Sequence, residues 1–451
     1  MTNGVLRHPV TTSSDPEAVF CHLLATAETA LWWESLGDRG SQVSVIGFGE
    51  EIPLTSGNEW DTLQSRWVKA GALPDSDLAP PLGVVGWLGY DLTVDTLGID
   101  VGGPKPGEPA TSRLVLVSRA LSWNHHTGDV TVWALGDQWD GDLLTWRDEV
   151  LEALDTAPSV SELELPPPTL RDEHVFWRDT PDHYRHTIAR AKEAIRDGEV
   201  YQLCVTTEVV VHTEVSDVEL YRLLRRHNPA PHQALMRIGG ISLVASSPET
   251  FLHISPDRVV TTKPIKGTRP RGVSSIEDAQ IAAELSASDK EQAENLMIVD
   301  LMRNDLSRVC DESTIDVPQL LEVETYPSVH QLVSTVTGTL RDDVSPIEAV
   351  RACFPGGSMT GAPKHRAVSI LTNLESEPRG IYSGCFGIFS VDGSLTLAMT
   401  IRTAIVEPGR VSLGVGGGIT WSSIIDDEVA EVGHKARGVL RCLGVSDIQY
   451  S

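Results

Sequence analysis

Cysteine is scarce and never clustered in this chain: Cys21, Cys204, Cys310, Cys353, Cys385 and Cys442 lie far apart, with no C-x-x-C pair. They read as reduced thiols of a protein kept in the cytoplasm rather than as a disulfide framework. Long apolar runs are missing too. No stretch approaches the 18 residues of a membrane-spanning helix, so no membrane partner is expected. The N-terminus has Asp15 and Glu17 soon after a polar Thr/Ser stretch, without the basic start and apolar run of a signal peptide. Basic residues are the third shortage. Against 63 Asp and Glu stand 36 Lys and Arg, a net charge of -27, which excludes the extended basic surface that a nucleic acid or an anionic membrane requires. A small anionic substrate remains compatible, because a few arginines and a metal ion reverse the field inside one cleft. What is present is 451 residues of ordinary globular composition, enough to bury a large core.

Residues 1–160 read as short strands and turns, with apolar alternation at Val43-Ser44-Val45-Ile46 and Leu114-Val115-Leu116-Val117 and a Gly/Pro loop from Gly102 to Pro109. The Trp pair in Leu31-Trp32-Trp33-Glu34-Ser35 reads as core. Ser159–Pro168, ending in three prolines, reads as a stiff connector, which divides the chain into an N-terminal region, 1–165, and a second unit, 166–451. Thr180-Pro181-Asp182 starts a helix that Asp197-Gly198 stops. Val200–Val211 follows as a strand, with Gln202, Cys204 and Thr206 on its less apolar face. From Asp289 to about Cys310 a helical pattern carries Glu291 and Glu294 on the same stripe as Ile298 and Leu301. A second helix carries Glu428, Glu431 and Lys435 beside Val432, Ala436, Val439 and Leu443. Such i, i+3 carboxylates are usually solvated surface. Two pairs on separate helices also form the kind of oxygen set that Mg²⁺ prefers.

The most unusual stretch is Pro264–Gly272, where Lys266 precedes Gly267-Thr268 and is flanked by Arg269 and Arg271. It reads either as a basic surface turn or as a site whose arginines disfavour a second ammonium and so make Lys266 a nucleophile. For a lysine of reference pKa ~10.4, being half-neutral at pH 7 costs roughly 4.6 kcal/mol. Phe354–Lys364 is a small-residue loop containing Ser358, the strand Val411–Ile419 runs into Gly416, Gly417 and Gly418, and Arg402 follows the apolar strand Leu395–Met399. A glycine run lets backbone N–H groups approach an anion, and an arginine clamps a carboxylate.

Together these stretches resemble the chorismate-utilising enzymes over about residues 170–445. The motifs are long and in the family's order: P-I-K-G-T-R-P-R-G (264–272), E-N-L-M-I-V-D-L-M-R-N-D-L (294–306), F-P-G-G-S-M-T-G-A-P-K (354–364), I-R-T (401–403), then the glycine run leading to Glu428, Glu431 and Lys435. The resemblance implies an α+β fold in which two large antiparallel β-sheets form a sandwich around the active site, with helices outside. It implies chorismate as substrate and Mg²⁺ as cofactor, held by Glu291, Glu294, Glu428 and Glu431. Lys435, Arg402, Tyr382, Gly267, Thr268, Ser358, Gly416, Gly417 and Gly418 match substrate-binding positions. Glu249, in Ser246-Ser247-Pro248-Glu249, matches the general acid that protonates the departing C4 hydroxyl, a role that requires a raised pKa.

Three positions discriminate within the family. Gln202 stands where water-using members carry lysine, which implies ammonia. Lys266 stands where anthranilate-forming members carry alanine, which implies attack by its amine at C2 and amination at C4. Gln331 stands where the eliminating members carry histidine, with His330 one step early and so on the opposite face of a strand. The implied product is 4-amino-4-deoxychorismate, a precursor of 4-aminobenzoate and folate; formation of anthranilate and pyruvate is the nearest alternative. A catalytically inactive partner of a glutaminase is a further one. Trp33-Glu34-Ser35 resembles part of the family's tryptophan site, with Ser35 at the matching place, although the companion motif reads Pro231-His232-Gln233. No cysteine sits in a glutaminase-like nucleophile elbow, so ammonia is expected from a separate glutamine amidotransferase subunit.

Overall fold

The computed structural model describes residues 4–36, 42–67, 79–158, 160, 174–326, 329–445 and 450. The expected connector at Ser159–Pro168, apart from Val160, and the 165/166 boundary lie outside the described residues. Strand pairing is antiparallel and continuous from the N-terminal to the C-terminal part of the chain. The strand Arg113–Asn124 is the joint. Its first half pairs with Gly83–Leu88 and its second half with Asp129–Leu135, while Gln42–Ile52 runs along both.

Two arms leave this joint. One passes through Ala30–Leu36, His232–Ile238, Ile241–Ser247, Thr403–Glu407 and Arg410–Ile419 to Gln202–His212. The other passes through Cys385–Ser390, Leu395–Met399, Thr250–Ile254 and Val259–Thr262 to Val329–Thr339, which also pairs with Ile265–Pro270. Side-chain alternation along the strands assigns each face. Ala234, Met236, Leu243 and Ala245 pack with Val85, Phe386 and Ala398 in a core between the arms. Leu235 and Val244 point outward, into a core that includes Ile188, Tyr221 and Val432 from covering helices. A third core covers the outside of the second arm with Ile298, Met302 and Val350. This is the sandwich with external helices expected above.

Local signals that read correctly are those with a local cause. Thr180 caps the helix Pro181–Arg196 by accepting from His183 N at 3.2 Å. Ser288 caps the helix Asp289–Ser307, which ends three residues before the expected Cys310. The N-terminal region holds helices as well, Pro16–Leu24 and Gly141–Thr156, that the strand-and-turn reading lacks. No helix among the described residues is long and apolar enough to cross a membrane.

The chain crosses between the two arms at two neighbouring places. Pro248-Glu249 links Ile241–Ser247 to Thr250–Ile254, and Thr400-Ile401-Arg402 links Leu395–Met399 to Thr403–Glu407. The crossings are tied together. Met399 N donates to Glu249 O at 3.0 Å, Ser246 N to Arg402 O at 3.1 Å, and Ser247 Oγ to Met399 O at 2.7 Å.

Candidate active site

Pro264–Gly272 does not form a surface turn. Ile265–Pro270 is a strand against Val329–Thr339, and its register shifts between Lys266 and Thr268. Gly267 occupies the bulge at φ +74°, where a Cβ would stand 2.8 Å from Leu285 and 3.0 Å from the Glu291 carboxyl. The bulge therefore lets Lys266 and Thr268 line the same cavity, of about 510 Å³. The expectation about the arginines is corrected. Arg271 is exposed and paired with Asp278 at 2.7 Å, and Arg269 reaches Glu291 at 3.3 Å. Both guanidinium charges are taken up by carboxylates. The charged groups whose fields include the Lys266 ammonium are instead Glu249, Glu294 and Glu431.

Asn295 fixes this strand to the first acidic helix. Its amide donates to Pro264 O at 3.3 Å and Leu332 O at 3.4 Å, and Ser334 Oγ donates to its Oδ1 at 2.6 Å. On the neighbouring strand the pleat separates two residues as expected. Gln331 lines the cavity with a buried Oε1 that has no partner among the described residues. His330 turns away, its Nε2 2.8 Å from Asp278 and its Nδ1 2.9 Å from Thr325.

The glycine strand closes the opposite wall. Gly416 and Gly418 line the cavity, whereas the Cα–H of Gly417 faces Glu428, whose Oε2 would be 3.1 Å from an added Cβ. Only two of the three expected glycines therefore border the cavity, because strand pleat alternates. A Cβ at Gly418 would stand 2.7 Å from Gln202 Nε2 and 3.3 Å from Lys266 Nζ. One missing side chain thus makes room for two of the three residues expected to discriminate within the family. Gln202 is fully buried rather than at the surface, and neither its Nε2 nor its Oε1 has a hydrogen-bond partner among the described residues. An unmet buried amide is costly, and it marks a place where a polar ligand completes the structure.

At the crossings, Glu249 is buried and accepts a short hydrogen bond from Ser358 Oγ. Burial pushes its pKa up to about 7, against the opposing pull of Ser358 and the charges of Lys266 and Lys435. Arg402 has left-handed backbone, φ +50°, unusual for a non-glycine residue. Burial lowers its pKa, and its guanidinium forms no hydrogen bond or ion pair with any described residue. The ring of Tyr382 lies where Gly414 lacks a side chain, 2.1 Å from the position of an added Cβ, and burial raises its pKa.

The four glutamates border the same cavity, and two of them lie in the first turn of their helices, where the helix dipole favours negative charge: Glu291 in Asp289–Ser307 and Glu428 in Ile425–Cys442. Each is met by a cation of this chain. Glu291 faces Arg269, Glu431 pairs with Lys435 at 2.7 Å, and Lys290 Nζ stands 3.9 Å from Glu294 and 3.7 Å from Glu428. Burial raises the pKa of Glu294 and of Glu428, while Lys435 lowers that of Glu431. Burial works to lower the pKa of Lys290, but Glu428, Glu294, Glu431 and Glu291 together raise it. Among the described residues no three His, Cys, Asp or Glu side chains stand close enough to ligate one ion. The donor chemistry nevertheless fits a hard divalent cation. All four donors are carboxylates, and Glu294 Oε1 is a buried oxygen with no hydrogen-bond partner among the described residues. Lys435 also donates to Gly416 O at 2.8 Å.

Two contributors escaped the sequence. Arg379 is buried and donates to Met359 O at 2.6 Å, Cys204 O at 2.8 Å and Glu375 Oε1 at 2.7 Å, so it holds the Ser358 loop to the Gln202 strand. Its spacing of four from Glu375 was the available signal. Lys290, four before Glu294, was the other. Ser35 is not in this cavity. It lies with Trp33, Pro231, His232 and Gln233 along a second one, of about 840 Å³, because Ala30–Leu36 pairs with His232–Ile238 in the register Ser35 to His232.

The chain matches the family model described as chorismate binding enzyme over residues 28–441. It is 37% identical over 460 residues to an aminodeoxychorismate synthase of Streptomyces pristinaespiralis, covering 95% of this chain but 64% of that protein. It is 35% identical to anthranilate synthase component 1 of Mycolicibacterium smegmatis, over 94% of this chain and 86% of the relative. Its fold resembles the crystal structure of anthranilate synthase component I from Streptococcus pneumoniae, with a TM-score of 0.76, 27% identity, and 88% and 92% of the two chains covered. With the bulged lysine strand, the glycine strand and the acidic helices around one cavity, the protein belongs to the chorismate-binding enzyme family.

Proposed function

We propose that this chain aminates chorismate at C4, giving 4-amino-4-deoxychorismate, with ammonia from a separate glutamine amidotransferase subunit. The observation that carries the reading is the meeting of Gln202 and Lys266 at Gly418: Lys266 lines a cavity that also holds a carboxyl with pKa about 7, and Gln202 lies behind the glycine, outside the cavity lining. The relative from Streptomyces pristinaespiralis named for this activity adds support, although this chain spans only 64% of its length. Residues 166–451 would then form the catalytic unit, with 1–165 lending strands.

Arg402, free of a carboxylate partner, binds a substrate carboxylate, and Tyr382 and Thr268 border the ring. Lys266 Nζ, as the free amine, forms a bond to C2 as both ring double bonds shift and the C4–O bond breaks. Glu249 delivers its proton to that oxygen, which departs as water, and Ser358 holds the carboxyl in place. Ammonia then forms the C4–N bond while both double bonds shift back and the C2–Nζ bond breaks, which returns the free amine. Gln202, with both its polar atoms unmet, orients the incoming ammonia. Glu291, Glu294, Glu428 and Glu431 would hold Mg²⁺, which when bound supplies positive charge to a substrate carboxylate. Gln331, a neutral amide, offers no base for eliminating pyruvate, and His330 is engaged with Asp278.

Incubation with chorismate, Mg²⁺ and ammonium tests the reading. Formation of 4-aminobenzoate only after an aminodeoxychorismate lyase is added is the expected result. Anthranilate and pyruvate from the chain alone would establish the second reading, favoured by the fuller coverage of the Mycolicibacterium smegmatis relative.

A further inference from the structure

We propose that Lys290 is a resident counter-cation of the four-glutamate set: in the metal-free chain its ammonium occupies the electrostatic position of a divalent cation, and it must leave for that cation to bind. The inference rests on the reading of these glutamates as a magnesium site. Two of the four carboxylates have cations of their own, at hydrogen-bonding distance or close to it, in Arg269 and Lys435. Glu294 and Glu428 have no such partner and are the most deeply buried of the set, at 8% and 3% exposure. Lys290 stands between them at 3.9 and 3.7 Å, close enough to screen both charges and too far to hydrogen-bond either. Glu294 Oε1 accordingly remains a buried oxygen without a donor.

Geometry makes this lysine displaceable. Its side chain is 47% exposed on a flexible stem, and long contacts of this kind are individually weak. Lys266 also acts on Glu294 and Lys435 on Glu428, but among the described residues no other cation stands within 4 Å of either carboxylate, and leaving both without their nearest cation would cost more than the two long contacts are worth singly. An ammonium in this position therefore stabilises the empty site and opposes the incoming ion. Neither Arg269 nor Lys435 can serve in the same way, since each is also bonded to a backbone carbonyl, Thr268 O and Gly416 O.

The test is calorimetric titration of the full chain with MgCl₂, together with its melting temperature with and without the salt. Lys290→Met should bind Mg²⁺ tighter, by roughly three- to tenfold on the scale of two weak ion pairs. Without salt it should melt below wild type, and saturating Mg²⁺ should remove the deficit. Lys290→Arg should restore wild-type behaviour in both. If wild type binds Mg²⁺ and Lys290→Met binds it equally or more weakly, the counter-cation is overturned while the acidic site stands. If wild type does not bind Mg²⁺, or if Glu428→Gln binds it as tightly as wild type, the site and the counter-cation fail together.

Discussion

The two cavities share a wall at Pro231, Pro248, Ile265 and Tyr326, and the one that lacks Glu249 and Arg402 is the larger, about 840 Å³ against about 510 Å³. The larger is lined by the middles of strands, with Phe386 and Ile388 beside polar residues that pair with one another, as His232 does with Thr250 and His253 with Thr396, and with one unmet group among the described residues, Gln233 Nε2. The smaller receives the side chains of the two tied crossings, Glu249 and Arg402. There the backbone leaves the ladder, and Glu249 and Arg402 project where no strand neighbour competes for them. Unmet polar groups gather at the same place: Gln331 Oε1 and Glu294 Oε1, with the Gln202 amide just behind Gly418, beside the unpaired guanidinium of Arg402. Volume therefore says less about chemistry than unsatisfied hydrogen-bonding capacity does.

Substitutions in the two cavities can break that contrast. The largest effect is expected at Lys266→Ala, where formation of 4-amino-4-deoxychorismate should fall roughly 10³-fold or more, measured with the coupled lyase assay. Retention of 4-amination would remove the lysine from the reaction. Glu249→Gln should lower kcat by about 10²–10⁴. In wild type, kcat should decline above pH 7 as the acid ionises. Stability carries the same signature. Because the folded pKa lies above the unfolded one, the native state holds the proton more tightly, and stability is lost as pH rises from about 4.5 to about 7. The loss is about 3 kcal/mol, and denaturant titration should find no such slope in the glutamine variant.

Arg402→Met should raise KM roughly 30-fold or more without lowering the melting temperature, since a half-buried guanidinium with no partner among the described residues gives the fold little. A large drop in melting temperature would instead make it structural. The smallest effect belongs to the second cavity. Ser35→Ala should change chorismate turnover by less than about twofold, and a larger loss would show that the shared wall couples the two chambers.

Legibility follows the range of the interactions. The helix Pro181–Arg196 could be read because its cap and stop lie within one turn of its ends, and the acidic helices because their stripes recur every three or four residues. The resemblance supplied the glutamates, Glu249 and Arg402 as a set, and the cavity does gather them. It failed on direction where pleat decides, at Gly417. The local reading, not the resemblance, failed on electrostatics for Arg269 and Arg271, whose partners Glu291 and Asp278 come from helices that it could not dock against the strand. Arg379 escaped because its work is done on the carbonyls of Met359 and Cys204, which carry no side-chain signal.

By itself, then, the sequence determined the elements, their faces and which residues carry chemical capacity, because capping, periodicity and motif spacing are local properties of the chain. The tertiary structure alone decided that Gln202 and Lys266 meet across Gly418. That encounter depends on Gly418 pairing with Cys204 in one sheet while Lys266 pairs with Leu332 in the other. Such registers are set by burial of whole strand faces between distant segments, and no window of a few residues contains them.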